Sequence, residues 1–166
     1  MVGKAFGAAF GAILTVGLAG AAASAAETQI ERGKYLVTVM GCSDCHTDGS
    51  FVGKPDMAHF LGGSGIGFEI PNLGYFYGAN LTPDPDTGLG KWTDKQIVAA
   101  ITTGVRPDGR QLAPIMPWRG FSHLKPKDAQ AIAAYLRSLP PVQNKVPGPF
   151  GPNQKPTAPY MKIVAP

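Results

Sequence analysis

Two cysteines and a histidine stand together in Cys42-Ser43-Asp44-Cys45-His46, and the chain has no other cysteine. Thiols three residues apart on one helical turn can each bond a vinyl group of a porphyrin, and the adjacent imidazole then points at the iron. This five-residue pattern is an attachment signature for a c-type haem. Carbon–sulfur bonds of that kind hold the ring even when a ligand on its far side lets go. Two other chemistries use thiols at this spacing. A redox dithiol calls for a preceding strand and a βαβ frame, whereas a helix precedes Cys42 and no parallel strands follow. Zinc needs two more ligands at motif spacing, and nothing local aligns His59 or His123 with the cysteine pair. The spacing is also too short for a fold-stabilising bridge. One covalent haem c on Cys42 and Cys45, with His46 as iron ligand, is therefore expected.

A second axial ligand has six candidates: Met40, Met57, Met116, Met161, His59 and His123. Met116 lies in Ala113-Pro114-Ile115-Met116-Pro117-Trp118, stiffened by prolines on both sides. A thioether binds iron weakly and benefits from being held in position. Met40 falls on the apolar stripe of a helix, where methionine usually packs a core. Met57 and His59 follow His46 closely and would have to loop round the ring edge to reach its far face; Met161 lies in the tail. Met116 is thus the expected ligand, and iron held by His46 and Met116 has no vacant position, leaving ferric/ferrous exchange as its chemistry. Arg106, Arg110, Arg119 and Trp92 could hydrogen-bond the propionates. Asp84, Asp86 and Gly88 are spaced like the start of a calcium loop, but Lys95 stands where its twelfth-position glutamate belongs, so calcium is not expected.

Three helical segments must position these groups. In the first, Thr28 and Glu31 form a capping box, and Ile30, Val37 and Met40 with Tyr35 or Leu36 supply an apolar stripe running to Gly41. In the second, Thr93 and Gln96 form another box, Ile97, Ala100 and Ile101 make the face, and Gly104 is a stop. In the third, Pro126 takes the first helical position, Ile132, Leu136 and Leu139 repeat, and Pro140-Pro141 end it. Residues 47–91 hold ten glycines and four prolines; so long an irregular stretch fits a compact domain only if a large flat cofactor fills the centre. A hairpin is predicted there, Phe68–Ile70 and Tyr75–Tyr77 flanking Asn72-Leu73-Gly74.

The first 26 residues carry one charge, at Lys4, then an apolar run, then Ala23-Ser24-Ala25-Ala26. That order predicts a cleaved secretory signal peptide, the alternative being a retained anchor. Residues 27–141 are expected to form one domain and residues 142–166 a proline-rich extended tail. Beyond residue 26 the chain carries 14 basic and 11 acidic residues, scattered singly, so nucleic acid is not an expected partner. The tail also keeps Phe150, Tyr160, Met161, Ile163 and Val164, more apolar surface than a solvated linker needs. It is expected to contribute to a stable subunit interface, the alternative being that it wraps its own domain.

The CSDCH motif, Met116 in PIMPW and the third helix with Tyr135-Leu136 resemble class I cytochromes c, an all-α fold in which three main helices and long irregular loops surround one His/Met haem. Gly33 resembles the small residue at the crossing of the first and last helices in that family, which implies that Tyr135 packs against it. The run from Asn80 to Val142 (NLTPDPDTGLGKWTDKQIVAAITTGVRPDGRQLAPIMPW, then FSHLKPKDAQAIAAYLRSLPPV) is similar to single domains of the cytochrome c subunits of bacterial periplasmic alcohol, sugar-acid and aldehyde dehydrogenases. Those subunits carry three such domains and a C-terminal membrane helix; this chain has one haem motif and a proline-rich end. The resemblance implies a periplasmic electron carrier, not itself an enzyme, that accepts electrons from a periplasmic or membrane-bound dehydrogenase and passes them to an oxidase or another cytochrome. Rival readings are a fixed cytochrome subunit of such a complex, and a five-coordinate haem acting as a gas or peroxide sensor or as a peroxidase.

Overall fold

Helix α1 (Gln29–Val39) starts at the predicted capping box: the Thr28 side chain accepts from the Glu31 backbone N–H, and the Glu31 carboxylate accepts from the Thr28 backbone N–H. Such a cap is worth about 1 kcal/mol. The computed structural model describes residues 1–3 and 27–164. The apolar run of the expected signal peptide, residues 4–26, lies outside the described residues. Short helix α2 (Cys42–His46) follows α1 across Gly41, whose φ of 66° turns the chain sharply. Helix α3 (Asp94–Thr103) runs from the Thr93/Gln96 box to Gly104, where φ is 74°. Single turn α4 (Trp118–Phe121) and helix α5 (Pro126–Ser138) complete the helices, α5 with Pro126 at its start as expected.

The bundle is tightest where α1 crosses α5. A Cβ on Gly33 would run into the Ala131 carbonyl oxygen and come within 2.7 Å of the Tyr135 Cβ. The predicted crossing is therefore present, with the Ala131 backbone as a partner beside Tyr135. Leu36 and Val37 of α1, Ile97 of α3, and Ala131, Ile132, Ala133 and Leu136 of α5 form the core with Leu61 and Leu89 from the intervening loop. Each fully buried large aliphatic side chain contributes roughly 1.5–3 kcal/mol. Ile30, placed on the α1 stripe by sequence, is instead about half exposed, and of the alternatives Tyr35 and Leu36 it is Leu36 that is buried. A glycine-mediated crossing is narrow, so α1 buries only the strip beside Gly33. The crossing is flanked by an ion pair, Arg32 Nε to Asp128 Oδ1 at 2.9 Å, with Asp128 buried.

An all-α description needs correction, because a small sheet is present. Strands β1 (Gly67–Ile70) and β2 (Gly74–Tyr77) form the predicted antiparallel hairpin, with Phe68 opposite Phe76, and Asn72 in its turn has a φ of 64°. Strand β3 (Tyr160–Met161), from the tail, adds to β1 in parallel, giving the order β2-β1-β3. The addition pairs residues far apart in sequence, so no local pattern signals it. Among the described residues, no helix is long and apolar enough to cross a membrane.

Two outcomes test this packing. Gly33→Ala should lower stability by about 1–3 kcal/mol, because the obstacle is backbone and cannot rotate away; urea denaturation measures it. The Arg32 hydrogen bond, foremost, holds the Asp128 carboxyl below its ordinary value of 3.8. A depressed carboxylate stabilises the fold above its unfolded value and loses that contribution as pH falls through the folded one. Thermal melting should therefore show extra destabilisation of the parent below about pH 4, a component that Asp128→Asn lacks.

Candidate functional site

The α1–α5 crossing sets where α1 ends, and Gly41 then swings the Cys42–His46 turn into the wall of a cavity of about 340 Å³. This is within the range of roughly 300–1,000 Å³ usual for cofactor sites. Phe68, Phe76, Leu81, Leu89, Ile97, Ile101 and Leu136 give it a largely apolar lining. Cys42, Cys45, His46 and Met116 all face it.

His46 is oriented by backbone. Its Nδ1 lies 2.7 Å from the Ala79 carbonyl oxygen, an acceptor, so Nδ1 carries the proton and Nε2 keeps its lone pair. Burial pushes the imidazole below its ordinary value, with the Ala79 bond acting in the opposite sense, and the ring is neutral near pH 7. Ala79 itself is fixed by its neighbour: a Cβ on Gly78 would strike the Cys45 carbonyl, so hairpin end and cysteine turn are in backbone contact. The thiols lie in a setting unlike that of a reactive dithiol. Burial pushes Cys42 up to about 11 and raises Cys45 as well, the nearby Asp44 charge adding to both. A redox or nucleophilic thiol needs the opposite, an electropositive surrounding that lowers its value.

Of the six candidate second ligands, Met40 and Met116 face the cavity. Met40 also packs against the core beside Cys42. Met116 is carried on the loop between α3 and α4, where its N–H donates to Ala113 and its carbonyl accepts from Trp118, at 3.0 and 2.8 Å. Met57 is 62% exposed, His59 is exposed and bonded to Asp56, His123 is exposed, and Met161 lies in β3. None of these four lines the cavity.

Arg106, Arg110 and Trp92 reach the cavity wall, and the Arg106 guanidinium lies 5.1 Å from the centre of the Trp92 ring. Arg119 does not line it and stacks on Trp118 at 4.5 Å. In the Asp84 loop, Asp84 Oδ1 accepts from the Asp86 and Thr87 N–H groups and from the Thr87 hydroxyl. Among the described residues, no group of three or more metal-binding side chains occurs. Sequence reasoning missed Ala79, whose contribution is a carbonyl that no side-chain pattern reveals. It found the hairpin but not that Phe68 and Phe76 wall the site.

Residues 30–140 match the family model described as cytochrome c. The chain is 35% identical over 132 residues to a nicotinate dehydrogenase subunit of Pseudomonas putida, covering 76% of this chain and 10% of that protein. It is 33% identical over 134 residues to the fructose dehydrogenase cytochrome subunit of Gluconobacter japonicus, covering 77% and 26%. To the cytochrome c subunit of the quinone alcohol dehydrogenase of Gluconobacter oxydans it is 35% identical over 130 residues, covering 76% and 25%. The chain thus spans between a tenth and about a quarter of the length of these relatives.

Proposed function

The chain belongs to the cytochrome c family, and we propose that it is a periplasmic electron-transfer protein with one haem c. In this reading Cys42 and Cys45 are bonded to the ring, and His46 and Met116 hold the iron. It accepts electrons from a dehydrogenase and passes them to an oxidase or another cytochrome. The observation that carries the proposal is convergence: the cysteine pair, an imidazole with a free Nε2 lone pair and a loop-held thioether all border one apolar cavity.

The residues fit the group. Two thiols supply the attachment points, while nitrogen and sulfur supply a borderline and a soft donor suited to low-spin iron. Haem c supplies one-electron exchange between ferric and ferrous iron. The chain's own contribution is to set the conditions for it. Ala79 holds His46 in a single tautomer, and the prolines at 114 and 117 keep the Met116 thioether from drifting. A thioether favours the ferrous state. Phe68, Phe76 and the aliphatic wall exclude water and disfavour the extra charge of the ferric form. Arg106 and Arg110 are the candidate partners for propionates, since both border the cavity and burial lowers Arg110 foremost, with Arg106 adding repulsion. A carboxylate beside them would relieve that repulsion.

The donor is proposed from the relatives, which are named as dehydrogenase subunits. An exported location is proposed from the sequence around Lys4 to Ala26. No side chain of the site is required to act as acid, base or nucleophile, which suits a carrier rather than an enzyme.

Two measurements test the reading. Acid-acetone treatment should leave the haem on the chain; free extraction would remove covalent attachment. Met116→Ala should lose the near-infrared sulfur-to-iron band, bind carbon monoxide in the ferrous form and fall in midpoint potential. A variant that keeps the band and refuses carbon monoxide would assign the ligand elsewhere. Ready carbon monoxide binding by the parent protein would favour the five-coordinate sensor or peroxidase.

A further inference from the structure

After α5 the chain does not leave the domain. Val142 is buried; its N–H donates to the Thr82 hydroxyl and its carbonyl accepts from the Asn80 side-chain amide at 2.6 Å. The Asn144 amide reaches the Gly62 carbonyl, and Val146 lies over Gly63, which has a φ of 99° and no room for a Cβ. Phe150 then exchanges both backbone hydrogen bonds with Tyr75 of β2, at 2.8 and 3.0 Å. Farther on, the Gly67 N–H donates to the Pro159 carbonyl, Tyr160–Met161 pairs with β1, and the Tyr77 hydroxyl donates to the Ala158 carbonyl. One segment therefore occupies both outer edges of the hairpin. Gly74 allows this at one edge, since a Cβ there would strike the Phe150 carbonyl.

The clasped hairpin is the element that faces the cofactor site. Phe68 and Phe76 line the cavity, and immediately after β2 come Gly78, packed on the Cys45 carbonyl, and Ala79, whose carbonyl accepts from the His46 Nδ1–H. Four-residue strands joined only to each other are marginal in water. Edge pairing supplies what the hairpin lacks and also covers hydrogen-bonding groups that would otherwise be open to other strands. Prolines at 147, 149, 152, 156 and 159 stiffen the segment, so it loses little conformational entropy when it docks.

We propose that residues 142–161 are a strap that clasps the hairpin at both edges and thereby positions the Ala79 carbonyl and, through it, the His46 imidazole. The tail's role is thus within the domain, and its residues act on the iron ligand without touching it. The positioning part rests on the haem reading above; the clasp does not.

Full-length protein, Phe150→Ala, and chains ending at Val146 and at Met161 separate the possibilities. Ending at Met161 leaves the strap whole and should change nothing. Phe150→Ala, and more strongly the end at Val146, should speed hydrogen exchange of the Gly67–Gly78 amides at least about tenfold while α1 and α5 amides keep their rates. In the same samples the NMR signal of the His46 Nδ1 proton should shift or broaden, and the midpoint potential should fall as water reaches the ring. Unchanged hairpin exchange overturns the clasp. Faster hairpin exchange with an unmoved His46 signal and potential overturns the positioning role. If the parent chain carries no thioether-bound haem, the haem reading fails, and the exchange comparison on the same chains still decides the clasp.

Discussion

The close approach of α1 to α5 at Gly33 governs the rest of the molecule. With no Cβ at that position, the backbone of α1 lies against the Ala131 carbonyl of α5, and two amphipathic helices too short to persist alone gain a shared interface. Where α1 ends is thereby settled, and with it the place of Gly41 and the Cys42–His46 turn. A motif held at the end of a loosely packed helix would wander; one held beyond a backbone-to-backbone crossing cannot. The Arg32–Asp128 pair at the same crossing adds direction, aligning the two helices rather than merely attracting them.

A second layer of constraint comes from the long segment between the first and second principal helices. Its glycines let other parts of the chain come close: Gly78 and Gly74 lie against the backbones of Cys45 and Phe150, and Gly63 lies under the Val146 side chain. Its polar residues are not left to water. Asn80 and Thr82 are almost wholly buried and bond each other and Val142. Buried polar groups of this kind are costly unless paired and specific when paired. They join the loop that ends at the site to the first residues of the tail. Site, hairpin and tail are consequently one mechanical unit.

In the proposed one-electron role the protein has little to do chemically and much to do geometrically: the proposed ligands would have to keep their places in both oxidation states, with water kept from the ring. The cavity is built for this by unequal means. His46 is tied by one hydrogen bond to a carbonyl, Met116 rides on a loop stiffened by prolines, and aromatic side chains from the hairpin close one side. The relatives are dehydrogenase subunits several times longer than the region they share with this chain, and it is within that region that residues 30–140 match the cytochrome c family model.

Local chemistry was fully legible. The capping boxes at Thr28 and Thr93, the stop at Gly104 and Pro126 at the start of α5 follow from hydrogen-bonding groups within four residues of one another. The CSDCH motif is likewise a matter of adjacent atoms. Even the hairpin could be read, because its turn and alternating aromatics are contiguous. Apart from the Gly33–Tyr135 crossing, which the family resemblance implied, what depended on distant partners could not be read. Ile30 matches an apolar stripe, and Tyr35 and Leu36 are alternatives on it, but only the narrow glycine crossing determines that Leu36 is buried while Ile30 and Tyr35 stay exposed. Met116 and Met40 are alike as thioethers, and only folding brings both to the cavity while leaving Met57 and Met161 outside it. The tail's composition announced an extended segment with apolar anchors, yet not the surface that receives them. That surface is two strand edges and a row of glycines from residues 62–77, and edges exist only once the hairpin has formed and turned its other face to the cavity.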